Sequence, residues 1–195
     1  EVSINDGAEA GFSWEISPQL TVRTSYWEQK AKDEFVLVDG NQRNVGRTNR
    51  HGVDLGLNWH INDHVYFWAN YATVKTEILG PSENEGNHLR SIPNYTSSVG
   101  VEYNITSDLS LRTHIDSQGD YYVNESNTGG KFGGYTLLNA SFDYALPWGN
   151  LNLQVNNLND DYFEYVYDLG TEEAPDTIHS PGSGRNISAS ISYEF

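Results

Sequence analysis

Apolar residues recur at every second position through most of this chain, and the alternation is cleanest at its end. Across 186–195, Ile187, Ala189, Ile191, Tyr193 and Phe195 alternate with Asn186, Ser188, Ser190, Ser192 and Glu194. Successive strand side chains point to opposite faces, so this stretch has one greasy face and one small polar face. The same period marks 8–16, where Ala8, Ala10, Phe12, Trp14 and Ile16 fall together. Within 45–61, Val53, Leu55, Leu57, Trp59 and Ile61 oppose Gly52, Asp54, Gly56, Asn58 and His60. Further strands are predicted over Leu20–Val38, 65–79, 95–105, 109–124, Tyr135–Leu146 and 151–168, with 1–7 as a loop or the stub of an earlier strand. Residues 65–79 do not divide cleanly into two faces. The expectation is an all-β chain of nine strands.

The connections alternate in length. Tight turns follow Ile16, Ile61, Ile105 and Leu146, whereas loops rich in Gly, Asn and acids follow Val38, Leu79, Asn124 and Asp168. Short turns at one end and long loops at the other is the sidedness of an antiparallel transmembrane β-barrel, and a Greek-key sandwich has no cause to show it. Aromatics give a second test. Trp14, Trp59, Tyr103, Tyr144, Tyr193 and Phe195 stand on the apolar face where strands approach the tight-turn end, as a periplasmic girdle would. Tyr95 and Tyr103 share a face about 26 Å apart along the strand, close to the height of an outer-membrane apolar band. Leu20–Val38 is longer than a crossing strand needs, which suits a tall receptor better than a minimal barrel.

Composition changes this picture little. The net charge of −16 excludes a nucleic-acid partner, which wants a basic footprint. A mean hydropathy of −0.60 reads as soluble, but alternating strands dilute any hydropathy signal. Cys 0 leaves no disulfide or thiol chemistry, and Met 0 marks a processed or cropped piece of a longer protein.

At 156–162 (NNLNDDY), at 181–185 (PGSGR) and in the terminal Tyr193-Glu194-Phe195, the sequence resembles the C-terminal signature of TonB-dependent outer-membrane receptors. Asn44-Val45-Gly46-Arg47-Thr48 leading to Gly52-Val53-Asp54-Leu55, and Ile92-Pro93-Asn94-Tyr95-Thr96, extend the resemblance over most of the chain. Asn159 departs from it, because the family usually has an aromatic there. The resemblance implies a 22-stranded barrel around an N-terminal plug, of which residues 1–195 would be the C-terminal portion, without the plug. It implies the TonB complex as a partner through the missing N-terminal part, and the barrel-assembly machinery as reader of the closing strand at Phe195. It also implies uptake of a scarce solute, a ferric siderophore first, with cobalamin or glycans as alternatives.

Candidate chemistry is sparse. The six histidines show no ligand spacing, so no metal site and no cofactor is expected. His114 and Asp116, beside Ser110, allow a rival reading as a small outer-membrane protease or lipase, but they lack any oxyanion-hole context. Arg43, Arg47 and Arg50, then His88 and Arg90, then Tyr121 and Tyr122 form the candidate ligand-binding set. Arginine forks suit carboxylate-rich anions, and tyrosine offers a flat face with a polar tip. The loop acids Glu83, Glu85, Glu125, Asp168, Glu172, Glu173 and Asp176 could share divalent cations with lipopolysaccharide, which adds outer-membrane lipid to the expected partners.

Overall fold

The computed structural model describes residues 3–38, 41–168 and 177–193. Thirteen strands follow one another: β1 (Ile4–Ser17), β2 (Leu20–Val38), β3 (Asn41–His60), β4 (Val65–Gly80), β5 (Tyr95–Asn104), β6 (Leu109–Gln118), β7 (Tyr121–Tyr122), β8 (Lys131–Phe132), β9 (Tyr135–Leu146), β10 (Gly149–Asn156), β11 (Glu164–Asp168), β12 (Thr177–Pro181) and β13 (Asn186–Tyr193). Nine of them form one antiparallel sheet in the order β1-β2-β3-β4-β5-β6-β9-β10-β13, and β7-β8 and β11-β12 are two-stranded ribbons. Every neighbour in the large sheet is next in sequence once the ribbons are set aside. It is an up-and-down meander and an open wall, because β1 and β13 have one partner each.

The register explains the alternation. Residues directly opposite share a face, and one row runs Trp14, Val22, Leu57, Ala69, Val99, Ile115, Leu138. The adjacent row runs Ser13, Arg23, Gly56, Asn70, Ser98, Asp116, Leu137. The apolar rows are the exposed ones: Phe12 is 62% exposed, Leu55 47% and Ile115 44%. A water-soluble sheet would cover that face, whereas a barrel turns it to lipid. We call it the outer wall. The buried side chains Ala31, Thr48, Trp68, Thr76, Ile78 and Asn139 stand on the polar side, the inner wall.

Several elements differ from the sequence reading: β3 begins at Asn41 and not at Val45, and β12 lies within the predicted last loop. β1 begins at Ile4, because Ile4 to Ala8 pair with Lys32 to Glu28 on the tall β2. Residues 65–79 do have two faces, with Phe67, Ala69 and Tyr71 outside and Trp68, Asn70 and Ile78 inside; an inward tryptophan hid the alternation. Residues 109–124 are not one strand. β5 starts only at Tyr95, so β6 loses its neighbour at Gln118, and the chain bends away into the β7-β8 ribbon. Residues 151–168 divide because Asn157 and Asp160 take positive φ (53° and 54°), which ends the extended run.

That break is held by its own side chains. Asn157 Oδ1 accepts from the Asp161 N–H (2.9 Å), and its Nδ2 donates to the carbonyls of Asp161 (2.9 Å) and Ser183 (3.3 Å). Asp160 accepts from the Arg185 N–H (3.0 Å) and its guanidinium (3.3 Å). Asn159 acts as a surrogate peptide on β9: its Oδ1 takes the Leu138 N–H (2.9 Å) and its Nδ2 donates to the Thr136 carbonyl (2.8 Å). Beyond it, Asp161 accepts the Thr136 N–H at 3.3 Å. These residues continue the ladder on β9 where β10 has stopped, so the strand's polar backbone stays paired.

Candidate functional site

The candidate residues come together in the upper part of the sheet, where the long loops meet it. On the inner wall, Glu34 accepts from both the Thr48 hydroxyl and the Arg50 guanidinium. Thr48, Ala31 and Ile78 pack beside them with almost no exposure. Arg50 therefore presents a half-buried, charge-paired guanidinium. Arg47 is exposed at the rim and donates to the Gly80 carbonyl at 3.1 Å. The Arg43 side chain lies outside the described residues.

Residues 81–94 run back along the free upper edge of β4. The Ile78 N–H donates to the Asn87 carbonyl (2.9 Å), and the Leu89 N–H to Thr76 Oγ1 (3.0 Å), which seals Leu89 inside. Asn127 fastens this segment to the next loop: its Oδ1 accepts the His88 N–H (2.7 Å) and its Nδ2 donates to the His88 carbonyl (2.8 Å). Arg90 pairs with Glu125 at 3.0 Å, also across the two loops. Tyr121 is buried against Val123, Val166 and Phe132. Burial pushes its hydroxyl above the ordinary tyrosine range, so it stays protonated, takes the Val166 N–H (3.1 Å) and faces that residue's carbonyl. Tyr121 thus joins the β7 and β11 ribbons. Tyr122 points the other way and stacks on His88, centroids 5.8 Å apart and planes 13° from parallel. Glu83, Glu85 and Glu125 are in the described loops and Asp168 ends β11; Glu172, Glu173 and Asp176 lie outside the described residues.

Lower on the inner wall runs an aromatic column. His60 stacks on Tyr66 (4.7 Å), Tyr66 on Trp68 (5.8 Å), and Arg112 lies over Trp68 at 4.4 Å. His114 reaches Asp116 at 3.2 Å, and Asp116 also accepts from Asn139 (3.0 Å). Ser110 stands four residues down the strand, about 13 Å away, so no nucleophile meets this pair. Among the described residues no three His, Asp or Glu gather as a metal ligand set.

The girdle candidates Trp14, Trp59, Tyr103, Tyr144 and Tyr193 are all exposed on the outer wall; Phe195 lies outside the described residues. Trp148 joins them, 5.6 Å from Tyr193, inside the predicted turn after Leu146, where strand alternation does not reach. An upper aromatic row was also missed: Tyr71 stacks on Tyr95 at 5.9 Å, with Tyr26 two strands beyond β4. Counting outward positions from the other end of each strand would have found it.

The model of the TonB dependent receptor-like β-barrel family matches residues 4–158. The chain belongs to this family. Solved receptor structures carry the same fold. The ferric yersiniabactin uptake receptor FyuA of Yersinia pestis is 21% identical with a TM-score of 0.85, covering 99% of this chain and 30% of its own. The ferric citrate transporter FecA is 19% identical with a TM-score of 0.83, covering 98% and 31%. A curated relative, Porin O of Pseudomonas aeruginosa, is 38% identical over 50 residues, 26% of this chain and 11% of that porin. The chain therefore spans under a third of the receptors it matches. As part of a TonB-dependent receptor barrel, its outer wall meets hydrocarbon, and its inner wall faces the lumen. Val99→Arg, at the middle of the apolar band, is expected to destabilise the barrel by about 2–4 kcal/mol, and lumen-facing Ser98→Arg by far less. Urea titration of the refolded receptor, read by gel mobility, compares them; equal costs would refute this assignment of faces.

Proposed function

We propose that the chain is the C-terminal part of the barrel of a receptor in the outer membrane of a Gram-negative bacterium, taking up an iron(III) chelate. The family and the fold support the receptor reading. The observation that carries the ligand class is the upper end of the lumen side, where the guanidinium groups of Arg50, on the inner wall, and Arg90, in the loop above it, are each half-buried and paired with a carboxylate. A carboxylate- or catecholate-bearing chelate offers these groups the same anionic oxygens, in geometry an arginine fork reads. Arg43 and Arg47 extend the set toward the rim. His88, Tyr121 and Tyr122 enter through the loops they order. Two neighbouring folds, FyuA and FecA, are named for ferric ligands. Energy for release would come from the TonB complex acting through a plug, and the closing strand β13 would be read by the barrel-assembly machinery.

Cells grown under iron limitation, with and without the receptor gene, should differ in uptake of radioactive iron presented as anionic chelates. Arg50→Ala with Arg90→Ala in the whole receptor is expected to weaken chelate binding about tenfold or more, with normal membrane levels. Iron-independent expression together with uptake of cobalamin or an oligosaccharide would replace the chelate with that solute.

A further inference from the structure

A cavity of about 420 Å³ opens where the upper outer wall meets the loops, lined among others by Tyr26, His51, Lys75, His88, Tyr122 and Lys131. Its floor is the outer face. Tyr26 is paired with Val53 and Val53 with Thr73, while His51 is paired with Lys75 one step higher, in the same alternation as Leu55 and Tyr71. Its side is the β7-β8 ribbon. Tyr121 and Phe132 turn to the loop core, so their neighbours Tyr122 and Lys131 turn to the cavity. Its height is set by the aromatic row Tyr26, Tyr71 and Tyr95, above which hydrocarbon gives way to headgroups.

We propose that this cavity binds the phosphate of an outer-leaflet lipid headgroup. Charge is the first reason. The chain carries 11 Lys and Arg against 27 acids, yet Lys75 and Lys131 both reach this one cavity. The other two lysines, Lys30 and Lys32, stand on outward positions of neighbouring β2, while Arg23, Arg50 and Arg112 are on the inner wall. Those three arginine forks face the lumen, whereas the hydrated, mobile ammonium groups face outward, which suits a headgroup that arrives in many orientations.

Local pairing is the second reason. Among the described residues Lys75 has no ion-pair partner. Lys131 is held only loosely, 3.6 Å from Asp120 and 4.9 Å above the Tyr122 ring, so a phosphate can draw it away. The His88 Nδ1–H donates to the Thr76 carbonyl at 2.9 Å, which leaves Nε2 free. His51 lies 6.4 Å from Tyr26. The nearby acids are accounted for: Glu28 is bound by Lys30 at 3.1 Å, Glu77 stands one outward step above Lys75, and Asp120 is the cavity's own carboxylate. The level on the wall selects the source. A soluble anion has the loops to choose from, whereas a lipid phosphate is confined to this height.

The proposal rests on the outer wall facing lipid. Its test uses the whole receptor, delipidated and returned to nanodiscs containing bis-phosphorylated lipid A, the same lipid with both phosphates removed, or neither plus inorganic phosphate. Native mass spectrometry should find the phosphorylated lipid retained, and Lys75→Gln with Lys131→Gln should lower that retention about tenfold. The dephosphorylated lipid should bind parent and variant alike. Equal retention of the phosphorylated lipid by parent and variant would overturn the proposal, as would displacement by millimolar inorganic phosphate. Gel mobility of the folded barrel is read in parallel: a receptor that fails to insert sinks the membrane reading, whereas an inserted one with equal lipid retention sinks only this site.

Discussion

Asn157→Leu is expected to cost the barrel about 3–5 kcal/mol and to leave little folded receptor in the outer membrane. Leucine keeps the branched skeleton of asparagine and is no smaller, so no cavity drives the loss. What disappears is a set of three bonds from one 2%-exposed side chain: from the Asp161 N–H, to the Asp161 carbonyl, and to the Ser183 carbonyl. Each partner is left facing a site that water reaches poorly, at about 1 kcal/mol or more apiece. Asn157 also holds φ at 53°, which asparagine tolerates and leucine resists. The consequence spreads because Asn159 and Asp161 close the upper edge of β9 only while this turn stands. Asn157→Ser, which keeps one short polar group, should fall between parent and leucine variant. Urea midpoints of the refolded receptor rank the three; an unchanged midpoint for the leucine variant would refute the role given to this side chain.

This turn also shows where sequence reading succeeds and stops. Strand identity was legible because each lipid-facing position must be apolar and each facing neighbour need not be, a rule that acts residue by residue. The nine-stranded order and the side of the long loops followed from it. The inward Trp68 broke the rule for β4, since a lumen wall also takes aromatics wherever a glycine makes room. Loop structure was not legible at all. The β7-β8 and β11-β12 ribbons depend on Tyr121 reaching Val166 across 45 positions of sequence, a contact no local period encodes. Asn159 is the opposite case. Its departure from the family's usual aromatic marks the place where a side-chain amide takes over pairing with β9. For the candidate ligand set, clustering of arginines pointed to Arg50 but not to Glu34, whose partnership needs the irregular register between Ala31 and Glu34. The sequence put His88 in a loop and Tyr122 near the top of a strand; their stacking toward the outer wall required the fold.

Gly100→Val is expected to cost about 2–4 kcal/mol and to unlock the aromatic column of the lumen. On the inner wall Trp68 lies directly opposite Gly100, which in turn is opposite His114. A Cβ at Gly100 would enter the Trp68 indole and come within 2.7 Å of the His114 Cβ. The indole lies flat there because glycine leaves the pleat open, an aromatic covering a bare backbone. At Gly52 a Cβ would come within 2.7 Å of the Trp27 ring and closer still, 2.1 Å, to the Thr73 carbonyl oxygen, so ring and backbone both exclude it. Valine would improve intrinsic strand preference at either site, so a gain in stability is what propensity alone predicts. Close packing predicts the reverse, and the magnitudes decide: propensity spans about 1 kcal/mol, whereas displacing a buried indole forfeits its packing and the Arg112 contact at 4.4 Å. Gly100→Ala should show the same sign with a smaller size, and Trp68→Leu combined with Gly100→Val should recover part of the loss, because the smaller side chain vacates the space. Absence of that recovery in the double-mutant cycle would mean that Gly100 is required for its backbone and not for the ring above it.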